Sequence, residues 1–210
     1  AHPHLDDGER IAVVHNGIIE NYAQLREMLS AKGVTFRSET DTEVAVNLIS
    51  YFYEGDILKA VAEAALRLEG SYALGILCAD YPDMVIAVRK ESPLILGLGQ
   101  GENFLASDVT ALLPYTRDVI YMEDGEIAIL TREGIRVFSR DLVEVKKEVS
   151  RVEWDISAAE KGGYEHFMFK EIMEQPEAIR KTISPRLRGG RVTLDELDLD
   201  PAYIRSLKKI

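Results

Sequence analysis

Seven short extended segments between residues 71 and 139 constrain the fold more than any other feature of the chain. Their apolar residues follow the period of a β-strand, and most links between them are only a few residues long. Because a parallel connection needs a dozen or more residues, these strands should pair as antiparallel neighbours. Asp124-Gly125, a strong hairpin signal, predicts a hairpin between Val119–Met122 and Glu126–Leu130.

Before residue 70 the apolar residues recur at helical spacing and predict three helices. The segment Thr40-Asp41-Thr42-Glu43 has the form of a capping box. A short strand, Ile11–Val14, precedes the first helix and is expected to end at His15-Asn16-Gly17, with the helix beginning at Ile18. Helices lying on antiparallel sheets predict an α+β fold, or a layered α/β/β/α arrangement.

Charge and composition exclude several classes of function. The formal net charge is −11, and the first 140 residues alone hold 12 Lys and Arg against 22 Asp and Glu. An acidic surface of this kind repels a phosphate backbone, so no nucleic-acid partner is expected. No apolar run approaches the roughly 18–20 residues of a membrane span. The single cysteine, Cys78, excludes an internal disulfide and suits a cytoplasmic protein.

His15-Asn16-Gly17 is the first candidate site, and two interpretations of it stay open. Asn-Gly commonly forms a type I′ hairpin turn, although the helix predicted after Gly17 argues against one here. Alternatively, the Asn16 amide and the Gly17 backbone N–H are adjacent donors that could converge on one developing negative oxygen. This would form an oxyanion hole.

Three other positions have simple structural interpretations beside functional ones. Asp41 in the first turn of a helix is explained by the helix dipole, and the alternative is capture of a substrate ammonium. His2-Pro3-His4 could suggest a metal ligand pair, but no further Cys or His pair supports it, and we predict no metal site. Cys78 ends an apolar strand and is expected to be a buried, inert thiol.

Several ordered motifs together resemble the class II (N-terminal-nucleophile) glutamine amidotransferases. The motifs are His2-Pro3-His4, His15-Asn16-Gly17-Ile18-Ile19-Glu20-Asn21, Ser38-Glu39-Thr40-Asp41-Thr42-Glu43, Gly97-Leu98-Gly99, Glu102-Asn103-Phe104-Leu105-Ala106-Ser107-Asp108 and His166-Phe167-Met168-Phe169-Lys170-Glu171-Ile172. The resemblance runs along nearly all 210 residues. The last three motifs resemble those of the family members in which the glutaminase domain is joined to a sugar-phosphate isomerase domain.

The resemblance implies an αββα sandwich and a set of residue roles. Asn16 and Gly17 match the oxyanion-hole pair, Asp41 matches the anchor for the glutamine α-ammonium, and His2 flanks the active site. Residues 1–150 match the later part of a glutaminase domain, and residues 151–210 match the linker to the isomerase domain. Glutamine and fructose-6-phosphate are the implied substrates, in a cytoplasmic homodimer that uses no cofactor.

The chain also departs from the family pattern. The family's nucleophile is a cysteine at the mature N-terminus, whose free amine serves as its base, and an Arg-Trp-Ala-Thr-His-Gly stretch grips the glutamine carboxylate. Here position 1 is Ala1, and that stretch does not occur. We therefore expect a fragment that lacks the opening of the glutaminase and the isomerase domain, and that is inactive alone. The alternatives are another class II amidotransferase or a catalytically dead glutamine-binding or regulatory module.

Overall fold

Contacts divide the chain of the computed structural model into two units, Ala1–Ile156 and Ser157–Ile210. The structure describes residues 2–153, 163–193 and 201–206. Ala1 and the parts of the predicted linker at 154–162, 194–200 and 207–210 lie outside the described residues.

Two antiparallel sheets and three helices build the first unit. The helices are α1 (Tyr22–Ala31), α2 (Asp41–Phe52) and α3 (Ile57–Ala65). The strands are β1 (His4–Leu5), β2 (Ile11–Ile19), β3 (Gly70–Cys78), β4 (Val85–Lys90), β5 (Ile95–Leu98), β6 (Asn103–Ala106), β7 (Asp118–Tyr121), β8 (Ile127–Leu130), β9 (Ile135–Phe138), β10 (Glu144–Val145) and β11 (Ser150–Arg151). The larger sheet has the order β1-β2-β3-β4-β8-β9-β10, and the smaller sheet has the order β11-β7-β5-β6.

Successive side chains of the central strands point to opposite faces of the larger sheet, and both faces are buried. Tyr72, Leu74 and Ile76 of β3 belong to the core that the sheet shares with the helices, whereas Ala73 belongs to a core shared with strands of the smaller sheet. Small side chains at Ala73 and Ala87 allow the two sheets to approach closely. The layered α+β arrangement of antiparallel sheets confirms the predicted fold class.

The hairpin predicted at Asp124-Gly125 is wrong. Strand β7 before it pairs with β5 and β11 in the smaller sheet, whereas β8 after it pairs with β4 and β9 in the larger one. The short link at residues 91–94 likewise carries the chain from β4 to β5, and so from one sheet to the other. A short connection can therefore lead to the sheet packed opposite as well as to an antiparallel neighbour.

Arg89 contacts both places where the chain crosses between the sheets. Its guanidinium donates to the carbonyl oxygens of Ser92 (2.8 Å) and Met122 (2.6 Å), one from each crossing. It also lies 3.2 Å from the carboxylate of Asp124, which accepts the backbone N–H of Glu91. The planar fork of one arginine thus ties the two crossings together.

Strand β2 is longer than predicted, because it continues through His15-Asn16-Gly17 to Ile19. Its whole length pairs with β3, from Ile11 opposite Cys78 to Ile19 opposite Gly70. Nine paired residues outweigh the local turn preference of Asn-Gly, and the helix expected from Ile18 begins only at Tyr22.

The described residues of the second unit form two α-helices and a short strand pair. Its elements are α4 (Phe167–Ile183), β12 (Leu187–Arg188), β13 (Arg191–Val192) and α5 (Pro201–Ser206). Helix α4 includes Pro176 and exposes several large apolar side chains, among them Phe167 and Met168. Within the part of the chain that the structure describes, no helix has the length and apolar character needed to span a membrane.

Candidate functional site

The second half of β2 and the first turn of α2 form the candidate site. The backbone N–H of Ile19 donates to Asp41 Oδ2 at 2.9 Å, so a helix side chain is bound directly to the strand. Gly17 and Asn16 lie two and three residues before Ile19 on this strand. The structure therefore places Asn16 and Gly17 between His15 and Ile19, the two residues of β2 that contact the first turn of α2.

The first turn of α2 is held by a partial capping box. Thr40 Oγ1 accepts the backbone N–H of Glu43 at 3.3 Å, as predicted. The Glu43 carboxylate does not return to Thr40, however, and instead accepts the backbone N–H groups of Arg37 and Ser38, each at 2.7 Å. Burial raises the pKa of Glu43, but these donors outweigh it and lower the pKa overall. The loop before Asp41 is thereby fixed to the helix.

Asp41 is placed for more than local helix stabilisation. One carboxylate oxygen is committed to Ile19 on β2, and the other lies 3.9 Å from His15 Nδ1. The side chain keeps 25% of its surface exposed. The helix dipole still favours a carboxylate at this position, but the carboxylate faces the strand and can also receive a cation from outside.

The Asn16 amide is a free hydrogen-bond donor. It is exposed and makes no hydrogen bond to any residue that the structure describes. Asn16 lines a cleft of about 240 Å³ that also includes Gly75 of β3 and Leu105 of β6. A donor at the mouth of a cleft between two sheets can reach a ligand oxygen without breaking an existing contact.

Gly17 has a backbone conformation and surroundings that require glycine. Its φ is +128°, within the range that side chains disfavour. A Cβ at this position would lie 2.1 Å from the carbonyl oxygen of Ser71 and 2.9 Å from Ser92 Oγ. Because Gly17 lies within a paired strand, the hairpin-turn interpretation of Asn16-Gly17 is wrong.

Three histidines meet beside Asp41. Thr42 Oγ1 lies 3.0 Å from His15 Nδ1 and 3.3 Å from His2 Nε2. The His2 ring is 5.5 Å from the ring of His4 and 6.5 Å from that of His15, both edge-to-face. Burial lowers the pKa of His15, and the neighbouring His2 lowers it further against the opposing effect of Asp41. The lowered pKa favours the neutral form of the His15 imidazole.

The contact between His15 and Thr42 is not indicated by the sequence motifs. Thr42 is assigned to the capping box and His15 to the stretch before Asn16, and no local pattern indicates that the two side chains meet. The sequence offers one indirect indication of a histidine cluster, since three of the chain's four histidines precede residue 16. Among the described residues, no group of three or more His, Cys, Asp or Glu side chains has a geometry that could hold a metal ion.

Cys78 lies far from these residues. It pairs with Ile11, whereas Asn16 pairs with Ala73, so five strand residues or roughly 17 Å separate the two positions. The thiol is buried in the core beneath the helices. The expected buried position is confirmed.

Replacing Cys78 by serine should affect stability and leave glutamine chemistry unchanged. A hydroxyl placed in this apolar core costs about 1–3 kcal/mol. Thermal unfolding of the natural full-length protein measures the cost, and Cys78→Ala separates the added polarity from the loss of sulfur. A serine variant of normal stability that released no glutamate from glutamine would show that Cys78 takes part in the reaction.

Comparisons with known proteins agree on one family. A family model described as a glutamine amidotransferase domain matches residues 1–114. The glutamine–fructose-6-phosphate aminotransferase (isomerizing) of Clostridium acetobutylicum is 53% identical over 211 residues, covering all of this chain and 35% of the relative. The enzyme of that name from Thermotoga maritima is 46% identical over 210 residues, with the same coverage. The chain thus spans about a third of the length of these relatives.

Solved structures show the same fold. A glutamine phosphoribosylpyrophosphate amidotransferase from B. subtilis, in complex with ADP and GMP, matches with a TM-score of 0.56 at 24% identity. The match covers 64% of this chain and 30% of that one. An allosteric regulatory enzyme of purine biosynthesis matches with a TM-score of 0.57 at 24% identity, over 67% of this chain and 31% of that one. At this identity the likeness extends to the fold alone.

Proposed function

The chain belongs to the glutamine amidotransferase domain family, and we propose that it is the glutamine-hydrolysing part of an enzyme that converts fructose-6-phosphate and glutamine into glucosamine-6-phosphate and glutamate. The names of the relatives at 46–53% identity support this substrate pair. In this proposal residues 1–150 belong to the glutaminase domain, and residues 151–210 lead to a sugar-phosphate isomerase domain. The full-length enzyme is proposed to be a cytoplasmic homodimer.

The observation that carries the proposal is the free Asn16 amide beside Gly17, on the strand that also binds Asp41. Attack on the side-chain amide of glutamine turns its carbonyl oxygen into an oxyanion. The Asn16 side chain and the Gly17 backbone N–H are proposed to donate to this oxygen, where their effect is greatest in the transition state. The carboxylate of Asp41 is proposed to bind the α-ammonium of the same glutamine.

The roles of the remaining residues follow from their positions. His2 contacts Thr42 next to Asp41, and it is proposed to flank the bound substrate. Cys78 is not proposed as the nucleophile, because it is buried and about 17 Å along the strand from Asn16. The chain's own residues therefore bind glutamine and stabilise the oxyanion, without supplying the attacking group.

Asp41→Asn tests the proposal through the kinetics of glutamine hydrolysis. We expect the KM for glutamine to rise about 10- to 100-fold, because the lost contact is a charged hydrogen bond. The contact is made equally in the ground state and the transition state, so kcat should change less than about threefold. Glutamate release by the natural full-length protein is the measurement.

Asp56→Asn is the matched control, since Asp56 caps α3 by accepting the backbone N–H of Lys59 and an asparagine can do the same. Its KM should equal that of the wild type. A loss of kcat at unchanged KM in Asp41→Asn would contradict the ammonium role. Glutamine binding without any turnover in the wild type would favour a dead binding module instead.

A further inference from the structure

The contact between His15 and Thr42 is a second attachment of α2 to β2, next to the one made by Asp41. Thr42 is buried, and its hydroxyl lies 3.0 Å from His15 Nδ1. Asp41, one residue earlier, accepts the backbone N–H of Ile19 through Oδ2. These two contacts fix the position of the first turn of α2 on the strand and therefore the direction of Asp41 Oδ1.

The donors and acceptors around Thr42 indicate where the proton of His15 lies. Asp41 Oδ1 is 3.9 Å from His15 Nδ1, and a carboxylate at this distance favours the tautomer with its proton on Nδ1. Nδ1–H can then donate to Thr42 Oγ1, whose own proton can go to His2 Nε2 at 3.3 Å. Every group in this chain of hydrogen bonds then has a matching partner.

The other nitrogen of His15 does not contribute to stability. His15 Nε2 is buried and has no hydrogen-bond partner among the described residues. A buried acceptor without a donor destabilises a fold. An apolar side chain would fill the same space without this cost, so packing alone does not account for a histidine at this position. The side chain is only 2% exposed, and burial lowers the pKa of His15, which favours a neutral ring beside the Asp41 carboxylate.

We infer that His15 is a positioning residue for Asp41, whose Nδ1–H donation to Thr42 holds Asp41 Oδ1 in place for the α-ammonium of glutamine. This inference rests on the proposed function, since it concerns the same glutamine site. His15 touches neither the reacting amide nor the ammonium in this account, and acts through the first turn of α2.

Two isosteric variants test the inference in the natural full-length protein. In His15→Asn the amide nitrogen can take the place of Nδ1, whereas in His15→Gln it takes the place of Nε2. We expect the KM for glutamine to stay within about threefold of the wild type in His15→Asn. It should rise about 10-fold in His15→Gln and His15→Ala, the effect of one lost hydrogen bond at a charged site. In all three variants kcat should change less than KM.

Thermal unfolding of each variant separates positioning from folding, and His166→Gln, at an exposed histidine of the second unit, is the matched control. Equal KM values in His15→Asn and His15→Gln, or KM values that follow the melting temperature, would overturn the inference alone. A wild type that hydrolyses no glutamine would overturn the proposed function and the inference together. Because His15→Asn and His15→Gln both carry a carboxamide and differ by the one methylene that moves the donor, their comparison does not depend on whether His15→Ala folds.

Discussion

Replacing Asn16 by alanine should lower kcat for glutamine hydrolysis about 10²–10³-fold in the natural full-length protein, the usual effect of removing one oxyanion donor. The amide makes no hydrogen bond to any residue in the described part of the chain, so its removal leaves no buried group unpaired. The KM should change little, because the donor acts mainly in the transition state. Steady-state glutamate release measures both constants.

Asn16→Asp is the matched variant, since it keeps the shape of the side chain and removes the donor. We expect it to be no more active than Asn16→Ala, because a carboxylate repels the developing oxyanion. Both variants should unfold within a few degrees of the wild type, since Asn16 is exposed. Activity retained in Asn16→Asp, or a change confined to KM, would contradict the oxyanion role.

Gly17→Ala should lower the melting temperature by about 10 °C, since a cost of about 4 kcal/mol corresponds to a shift of this size in a domain of 150–250 residues. Two effects add together. The φ of +128° disfavours any side chain, and the new Cβ would lie 2.1 Å from the backbone carbonyl of Ser71, which belongs to the paired strand β3 and cannot move aside alone.

Gly33→Ala separates the two effects. Gly33 also has a positive φ, of +93°, but no atom lies within 4 Å of the Cβ that alanine would add. The Gly33→Ala substitution should lower the free energy of unfolding only by the conformational penalty of about 1–2 kcal/mol, which lowers the melting temperature by a few degrees. If both substitutions lowered the melting temperature equally, the close approach of Ser71 would have no energetic consequence.

Signals that lie within a few residues predicted the local structure of the chain well. The Thr40 cap starts α2 where expected, and Gly33, with its positive φ, follows the end of α1. Features that depend on distant partners were missed. Strand β2 does not end at His15-Asn16-Gly17, because it pairs with β3 as far as Ile19. The Asp124-Gly125 hairpin is replaced by a crossing that Arg89 holds from β4.

The same division applies to the candidate site. Motifs in single segments singled out Asn16, Gly17, Asp41 and His2, and their roles stay predictions. The contact of His15 with Thr42 joins residues 27 positions apart in sequence, and it exists only because α2 packs on β2. No spacing within either motif carries that information, so the positioning role of His15 required the fold.

The most direct test is a crystal structure of the natural full-length protein with L-glutamate, whose side-chain carboxylate takes the place of the glutamine amide. We expect one side-chain oxygen of the ligand within about 3.2 Å of Asn16 Nδ2, and the α-ammonium within about 3.2 Å of Asp41 Oδ1. A glutamate bound with its α-ammonium away from Asp41, or with no oxygen in reach of Asn16, would contradict the assignment of this site to glutamine.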